Sequence, residues 1–336
     1  MKYTKVLARK YLFPQLYEWG FDKWVRGLSY NNHTNLMYHG VTKNNTNFFS
    51  RRNIDIDQFE KQIKYIKHNF DVISCNDSFN FKKDNKRDIK KTVTISFDDG
   101  LMNNLTNVLP IVEHYSIPIT VFVSGICGVE GNNEILWAEK LDALKYFEPK
   151  AIIKYNQFRF VNFIEENKGF SISQYIKDLP YNERDCFLNF LDREFSITSK
   201  IRSLDEEIWR LLNKKELIEL SKSQYVSIGS HGQNHFNLGN LGKEDLTKEL
   251  LSSKTILEKC INKKVDSIAF PDGSYSKLVL DTALECGYDY MFCVKLNMKK
   301  DARYSYLKHR YGVSTTTTFE SNIFGINLSF VNGIKF

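Results

Sequence analysis

Two short runs of polar residues carry the chemistry this sequence could perform. Asp98 and Asp99 are adjacent in Phe97-Asp-Asp-Gly100, at the end of an apolar, β-branched stretch. Crowding two carboxylates raises the pKa of one unless a cation neutralises them. A divalent metal would do so and leave the second carboxylate free as a base. His231 and His235, in Ser230-His-Gly-Gln-Asn-His235, set two imidazoles four residues apart, again just past an apolar run. On one helical turn, or on a curled loop, both can face one ion. Two neutral histidines plus a carboxylate make a three-ligand site with positions open for water and substrate. Each half alone has a plainer reading: Asp-Asp-Gly also makes a strand cap or turn, and a lone histidine is more often structural.

Taken together, Ser96-Phe-Asp-Asp-Gly100 and Ser230-His-x-x-x-His235 resemble the signature of the polysaccharide deacetylase (NodB-homology) family, the family 4 carbohydrate esterases. The likeness extends over most of residues 36–313. Leu36-Met-Tyr-His-Gly-Val41 and Leu136-Trp-Ala-Glu-Lys-Leu141 look like segments of the members associated with exopolysaccharide and surface-glycan assembly. The resemblance implies an α/β fold, an irregular (β/α) barrel, and hydrolysis of an N-acetyl group on an amino sugar. Carried over, Asp98 matches the catalytic base, while Asp99, His231 and His235 match the ligands of one divalent ion. Zn2+ is the default for such a set, and Co2+, Ni2+ or Fe2+ would fit the same donors. The ion would polarise the amide carbonyl and its water while Asp98 takes a proton.

The chain departs from the family pattern in places. The third motif lacks its arginine, reading Ser267-Ile-Ala-Phe-Pro-Asp-Gly-Ser-Tyr275, and Arg310 is the residue that could supply a guanidinium instead. The fourth motif, D-x-x-D-W, is replaced by Val294-Lys-Leu-Asn-Met298. Two histidines compete for general acid: His309, in Leu307-Lys-His309, and His39 at the end of the first expected strand, which is slightly favoured. Two other readings stay open, a glycan-binding barrel with little turnover and a hydrolase of a formyl or O-acetyl group.

These residues need a frame that brings residues 39, 98, 231 and 310 together. Expected strands cover 35–39, 71–74, 92–97, 119–123, 226–229, 267–270, 288–294 and 306–313. Between them the apolar spacing predicts helices opening at a capping box at Asp57–Glu60, then over 104–115, 204–222, 243–261 and 277–286. Such alternation builds a parallel sheet, and barrel enzymes place their chemistry where the strands end. Residues 125–204 break the rhythm and read as a mainly helical insertion, with helices over 135–147, 172–176 and 184–195 and strands over 152–155 and 158–163.

With 336 residues, 42% hydrophobic and 26% charged, the chain can bury a large core without disulfides. Its six cysteines form no C-x-x-C pair and read as reduced thiols, the expectation for a cytoplasmic protein. Residues 1–30 hold six basic side chains against Glu18 and Asp22, so +4 of the chain's +7 lies there. Trp19, Trp24, Tyr11 and Tyr17 are interleaved with them, in a segment without a signal peptide's apolar core. The segment reads either as a helix packed outside a barrel of residues 31–336 or as a contact with the inner membrane face and its lipid-linked glycans. No nucleic-acid motif is visible, and the basic run from Lys82 to Lys91 reads as a solvated loop.

Overall fold

The β-branched run Thr92–Phe97 is a strand whose six residues are all buried, which requires cover on both faces. The cover comes from a parallel sheet that curls on itself. His33–Tyr38 lies along one edge of Thr92–Phe97, and Ile119–Val123 along the other. The order continues through Val226–Ser230, Ser267–Ala269, Tyr290–Cys293 and Leu307–His309, each parallel to the last. Beyond Arg310, Tyr311–Gly312 pairs with His33–Tyr38, so the chain returns to the first strand and the barrel is nearly closed. This computed structural model describes residues 7–28, 31–44, 49–80 and 91–331; the basic run expected as a loop lies almost wholly outside them.

Helices cover the outside. Ile56–Asn69 buries Phe59, Ile63 and Ile66 against the sheet, and Lys243–Ile261 buries Leu246, Leu250 and Leu257. The expected capping box at Asp57 is corrected: the N-cap is Asp55, whose carboxylate accepts from the main-chain N–H groups of Asp57 and Gln58. The helix expected over 204–222 is also corrected. A short turn at Glu206–Ile208 precedes an extended stretch in which Leu212 N–H donates to Gly100 O. A new helix, Lys214–Leu220, then starts at Asn213, with Glu216 completing its capping box. The strand expected over 306–313 is split at Arg310, where the chain changes neighbours.

Residues 135–209 supply most of a second apolar cluster, centred on Phe160, Phe187, Ile172 and Ile201. It joins the helices Trp137–Phe147, Ile172–Asp178 and Tyr181–Phe195 to an antiparallel sheet of Ile152–Tyr155, Phe158–Val161 and Ile164–Glu165. At the other side of the barrel, Phe13–Glu18 and Phe21–Leu28 pack on Phe319–Ser329, where Phe13 and Val25 meet Phe324 and Leu328. No expectation covered that last helix. It is buried continuously from Ser321 to Leu328, so it lacks the polar stripe that marks a surface helix. The outward face of the N-terminal helices leaves Trp19 68% and Trp24 60% exposed, with Phe21 between them.

Candidate active site

A parallel barrel ends all its strands on one rim, and each sequence-selected residue but one meets there. Asp98 follows Thr92–Phe97 directly, and its N–H donates to Tyr38 O at 3.1 Å. Asp99 then turns into the left-handed region (φ 77), as does Gly100 (φ 82). His231 follows Val226–Ser230 and is tied to the neighbouring strand through its N–H and Val123 O. The loop from there to His235 is curled rather than helical: Gly232 and His235 have φ of 73° and 54°. Asp272 is a third non-glycine left-handed residue at the rim, after Ser267–Ala269. Such conformations carry a cost and persist where their surroundings over-determine them.

Arg310 points into the barrel. Its Nη1 and Nη2 donate to Asp98 Oδ1 and Oδ2 at 2.6 and 2.7 Å, and Nη1 also reaches Ser96 Oγ. Burial would raise the Asp98 pKa, but Arg310 and His231 hold it below the ordinary carboxylate value. Burial works the same way on Asp99, and there the imidazoles of His231 and His235 hold the carboxyl well below its usual range. Desolvation opposes charge on His235 too, yet Asp99 raises its pKa. His39, on the same cavity wall, is lowered by burial against the pull of Asp99 and Asp98. His309 is exposed and does not line the cavity; the structure does not bring it to the other four groups.

The donor set suits a divalent ion. Asp99 Oδ1 is buried, has no hydrogen-bond partner of good geometry, and lies 3.4 and 3.2 Å from Nε2 of His231 and His235. One ligand atom from each of the three lies within 4.8 Å of the others. His231 Nδ1 is 2.8 Å from Ala269 O, an acceptor that keeps a proton on Nδ1, so the neutral ring would offer its Nε2 lone pair to an ion beside Asp99. His235 Nδ1 accepts from Trp137 Nε1 at 3.3 Å. Binding an ion through Nε2 would put a proton on Nδ1, so the indole would have to give up that bond.

Several cavity residues carried no sequence signal as site residues. The cavity is about 210 Å3, and the insertion supplies one of its walls through Trp137, Asp142, Lys145, Ser173 and Lys177. Two ion-paired bridges join that wall to the barrel. Arg52 meets Glu139 at 2.7 Å and Asp142 at 2.9 Å, and Lys177 meets Asp272 at 2.5 Å. Burial pushes Glu139 up to about 7 despite Arg52. Trp137 and Glu139 had a hint in the sequence through Leu136-Trp-Ala-Glu-Lys-Leu141, and Asp272 through the Phe-Pro-Asp-Gly stretch of the third motif. Arg52 had none.

With the geometry in place, comparison with known proteins is direct. A family model described as polysaccharide deacetylase matches residues 85–143 and 170–291, more than half of the chain. A poly-beta-1,6-N-acetyl-D-glucosamine N-deacetylase of Staphylococcus aureus is 28% identical over 205 residues, covering 54% of this chain and 69% of that protein. The Streptococcus pyogenes deacetylase PplD in complex with acetate is similar in structure, with a TM-score of 0.54, 17% identity, and coverage of 86% of this chain and 95% of that one. IcaB from Ammonifex degensii gives a TM-score of 0.55 at 14% identity, covering 89% and 97%. At such identities the structural likeness shows the barrel fold.

Proposed function

This chain belongs to the polysaccharide deacetylase family, and from that premise we propose that it removes an N-acetyl group from an amino sugar in a glycan or glycan precursor. One observation carries the reading: Asp98, clamped by Arg310, lines the same cavity as Asp99, His231 and His235. Held by those last three, a divalent ion, Zn2+ before Co2+, Ni2+ or Fe2+, would supply Lewis acidity to the amide carbonyl and to an attacking water. Asp98 stays ionised and takes a proton from that water; each of its oxygens keeps a lone pair beyond the Arg310 bonds. His39 is assigned the proton that the departing amine nitrogen needs when the C–N bond breaks, leaving acetate and a free amine. Burial favours neutral His39, so the proton it passes to the amine is the one that Asp98 took from the water, and the step balances.

We also propose that the N-terminal helices bring this cavity to membrane-anchored glycan. Tyr11, Trp19 and Trp24 face outward beside the exposed Lys10 and Lys23, a pairing that suits an anionic headgroup layer. Among the described residues no helix is long and apolar enough to cross a membrane.

The test strips the protein of metal, reloads it with one defined ion at a time, and measures acetate release from N-acetylated sugars. Asp98→Asn and His39→Asn should each keep the ion and lose roughly 10²-fold or more in kcat. Full activity in Asp98→Asn would sink the assignment of the base. Wild type that binds glycans yet releases no acyl group with any ion would make the barrel a binding module.

A further inference from the structure

The loop that carries both histidines cannot satisfy its own main chain. It is not helical, so the carbonyls of residues 232–235 have no donors four residues on and must find them elsewhere. Two come from the barrel rim: Gly125 N–H donates to Gly232 O at 2.8 Å, and Ile126 N–H to Gln233 O at 3.1 Å. The other two come from one side chain of the insertion. Arg184, on the helix Tyr181–Phe195, donates from Nη2 to Asn234 O at 3.2 Å and from Nη1 to His235 O at 3.1 Å. Its guanidinium lies 3.3 Å from the ring centroid of Phe236, and the residue is only 7% exposed. On the opposite side Glu249 accepts from Asn234 N–H at 2.6 Å and from Asn234 Nδ2 at 3.0 Å.

We propose that Arg184 is a positioning residue for His235, so that the insertion helps set the affinity of the site for its ion. The proposal rests on the reading of His235 as a ligand. His235 sits at φ 54, a conformation that a β-carbon disfavours and that must be held from outside. Arg184 holds it by bridging the carbonyls on either side of the His235 N–Cα bond. Without those two bonds the His235 carbonyl would lose a donor in a buried position and the Asn234 carbonyl one in a partly buried position, and the backbone would gain by turning towards a conformation with φ below zero. That rotation swings the imidazole and takes Nε2 away from Asp99 Oδ1. Groups that orient a ligand without touching the ion commonly carry 10- to 100-fold of metal affinity.

The coupling is reciprocal by linkage: whatever docking Arg184 contributes to ion binding, ion binding returns to docking of the insertion. The test uses the full chain as wild type, Arg184→Met, Arg184→Lys and Arg159→Met. Arg159 serves as the control because its partner, Glu166, also lies within the insertion and both side chains are 41% exposed. Zn2+ affinity is measured by competition with a chelator, and protease resistance of the insertion is followed with and without Zn2+. Arg184→Met should bind Zn2+ roughly 10- to 100-fold more weakly, Arg184→Lys should recover part of the loss, and Arg159→Met should match wild type. Zn2+ should also slow cleavage of the wild-type insertion more than that of Arg184→Lys. Unchanged affinity in Arg184→Met overturns the proposal. If Arg184→Met does not fold, wild-type affinity and wild-type Zn2+ protection in Arg184→Lys overturn it instead. Wild type that binds no Zn2+ overturns the metal centre itself, and this role of Arg184 with it.

Discussion

Asp98 and Arg310 are buried together, and each would be costly to bury alone. The pair is weak evidence for stability in itself, since desolvating both ions offsets much of their attraction, but breaking it leaves a carboxylate without its partner. Arg310→Met should therefore destabilise the protein by about 3–5 kcal/mol near neutral pH, as read from urea unfolding. The sign of the pH dependence follows from the depressed Asp98 pKa. The contribution is fully present above the unfolded carboxyl's value of about 3.9 and is lost as pH falls through the lower folded value. The gap between wild type and variant should close as the solution is acidified through that range. In the variant the acid limb of the kcat/KM profile should move to higher pH, because Asp98 loses the group that keeps it ionised. Equal stability of the two proteins at pH 7 would show that the ion pair has no structural role.

At the scale of elements, the turn after Thr92–Phe97 has to send two adjacent carboxylates in different directions, Asp98 towards Arg310 and Asp99 towards the histidines. Gly100 makes the turn feasible: at φ 82 a side chain is strained, and an added β-carbon would sit 2.9 Å from Val123 Cγ1. Gly100→Ala should cost about 1–3 kcal/mol by thermal unfolding and should lower ion content with it. Gly242→Ala is the matched control, at φ −68 with nothing within 4 Å of its added carbon, and should be close to neutral. A Gly100→Ala protein as stable as the control would remove the steric argument. The same turn explains why the helix expected over 204–222 is broken, because Gly100 O takes its hydrogen bond from Leu212 N–H in the extended stretch between the two helical pieces.

Across the whole molecule, the first and last helices are one structural unit. Phe13 and Phe324 pack as a tilted pair with ring centroids 4.8 Å apart, and Ser321 Oγ donates to Arg9 O. The packing reading holds for one face, where Phe13 and Val25 turn inward; Trp19, Phe21 and Trp24 face out and form the surface proposed for membrane contact. Deleting the segment would strip Phe324 and Leu328 of cover, so a truncated chain is a poor probe of membrane contact. Replacing Trp19, Phe21 and Trp24 with serine leaves the packed face intact. Wild type should float with anionic liposomes at low salt and less so at high salt, and the triple variant should float less at both. Equal absence of both proteins from the liposome fraction at low salt would confine this segment to a packing role.

What the sequence determined by itself was local. Asp98, Asp99, His231 and His235 were legible because each follows a β-branched or apolar strand, and a parallel barrel delivers all such strand ends to one rim. The strands Thr92–Phe97 and Ile119–Val123 and the helix Lys243–Ile261 were legible for the same reason: their periods are properties of neighbouring residues. Arg310 was visible only as a candidate, since nothing local says that its strand closes the ring and aims it at Asp98, 212 residues away. Arg52, Asp142, Lys177 and Arg184 were not visible at all. Their partners lie on other elements, and the pairings exist only once the insertion docks on the barrel. Tertiary structure decided between His39 and His309 as cavity residues, because only the faces the chain presents after closure separate two histidines that each end a strand.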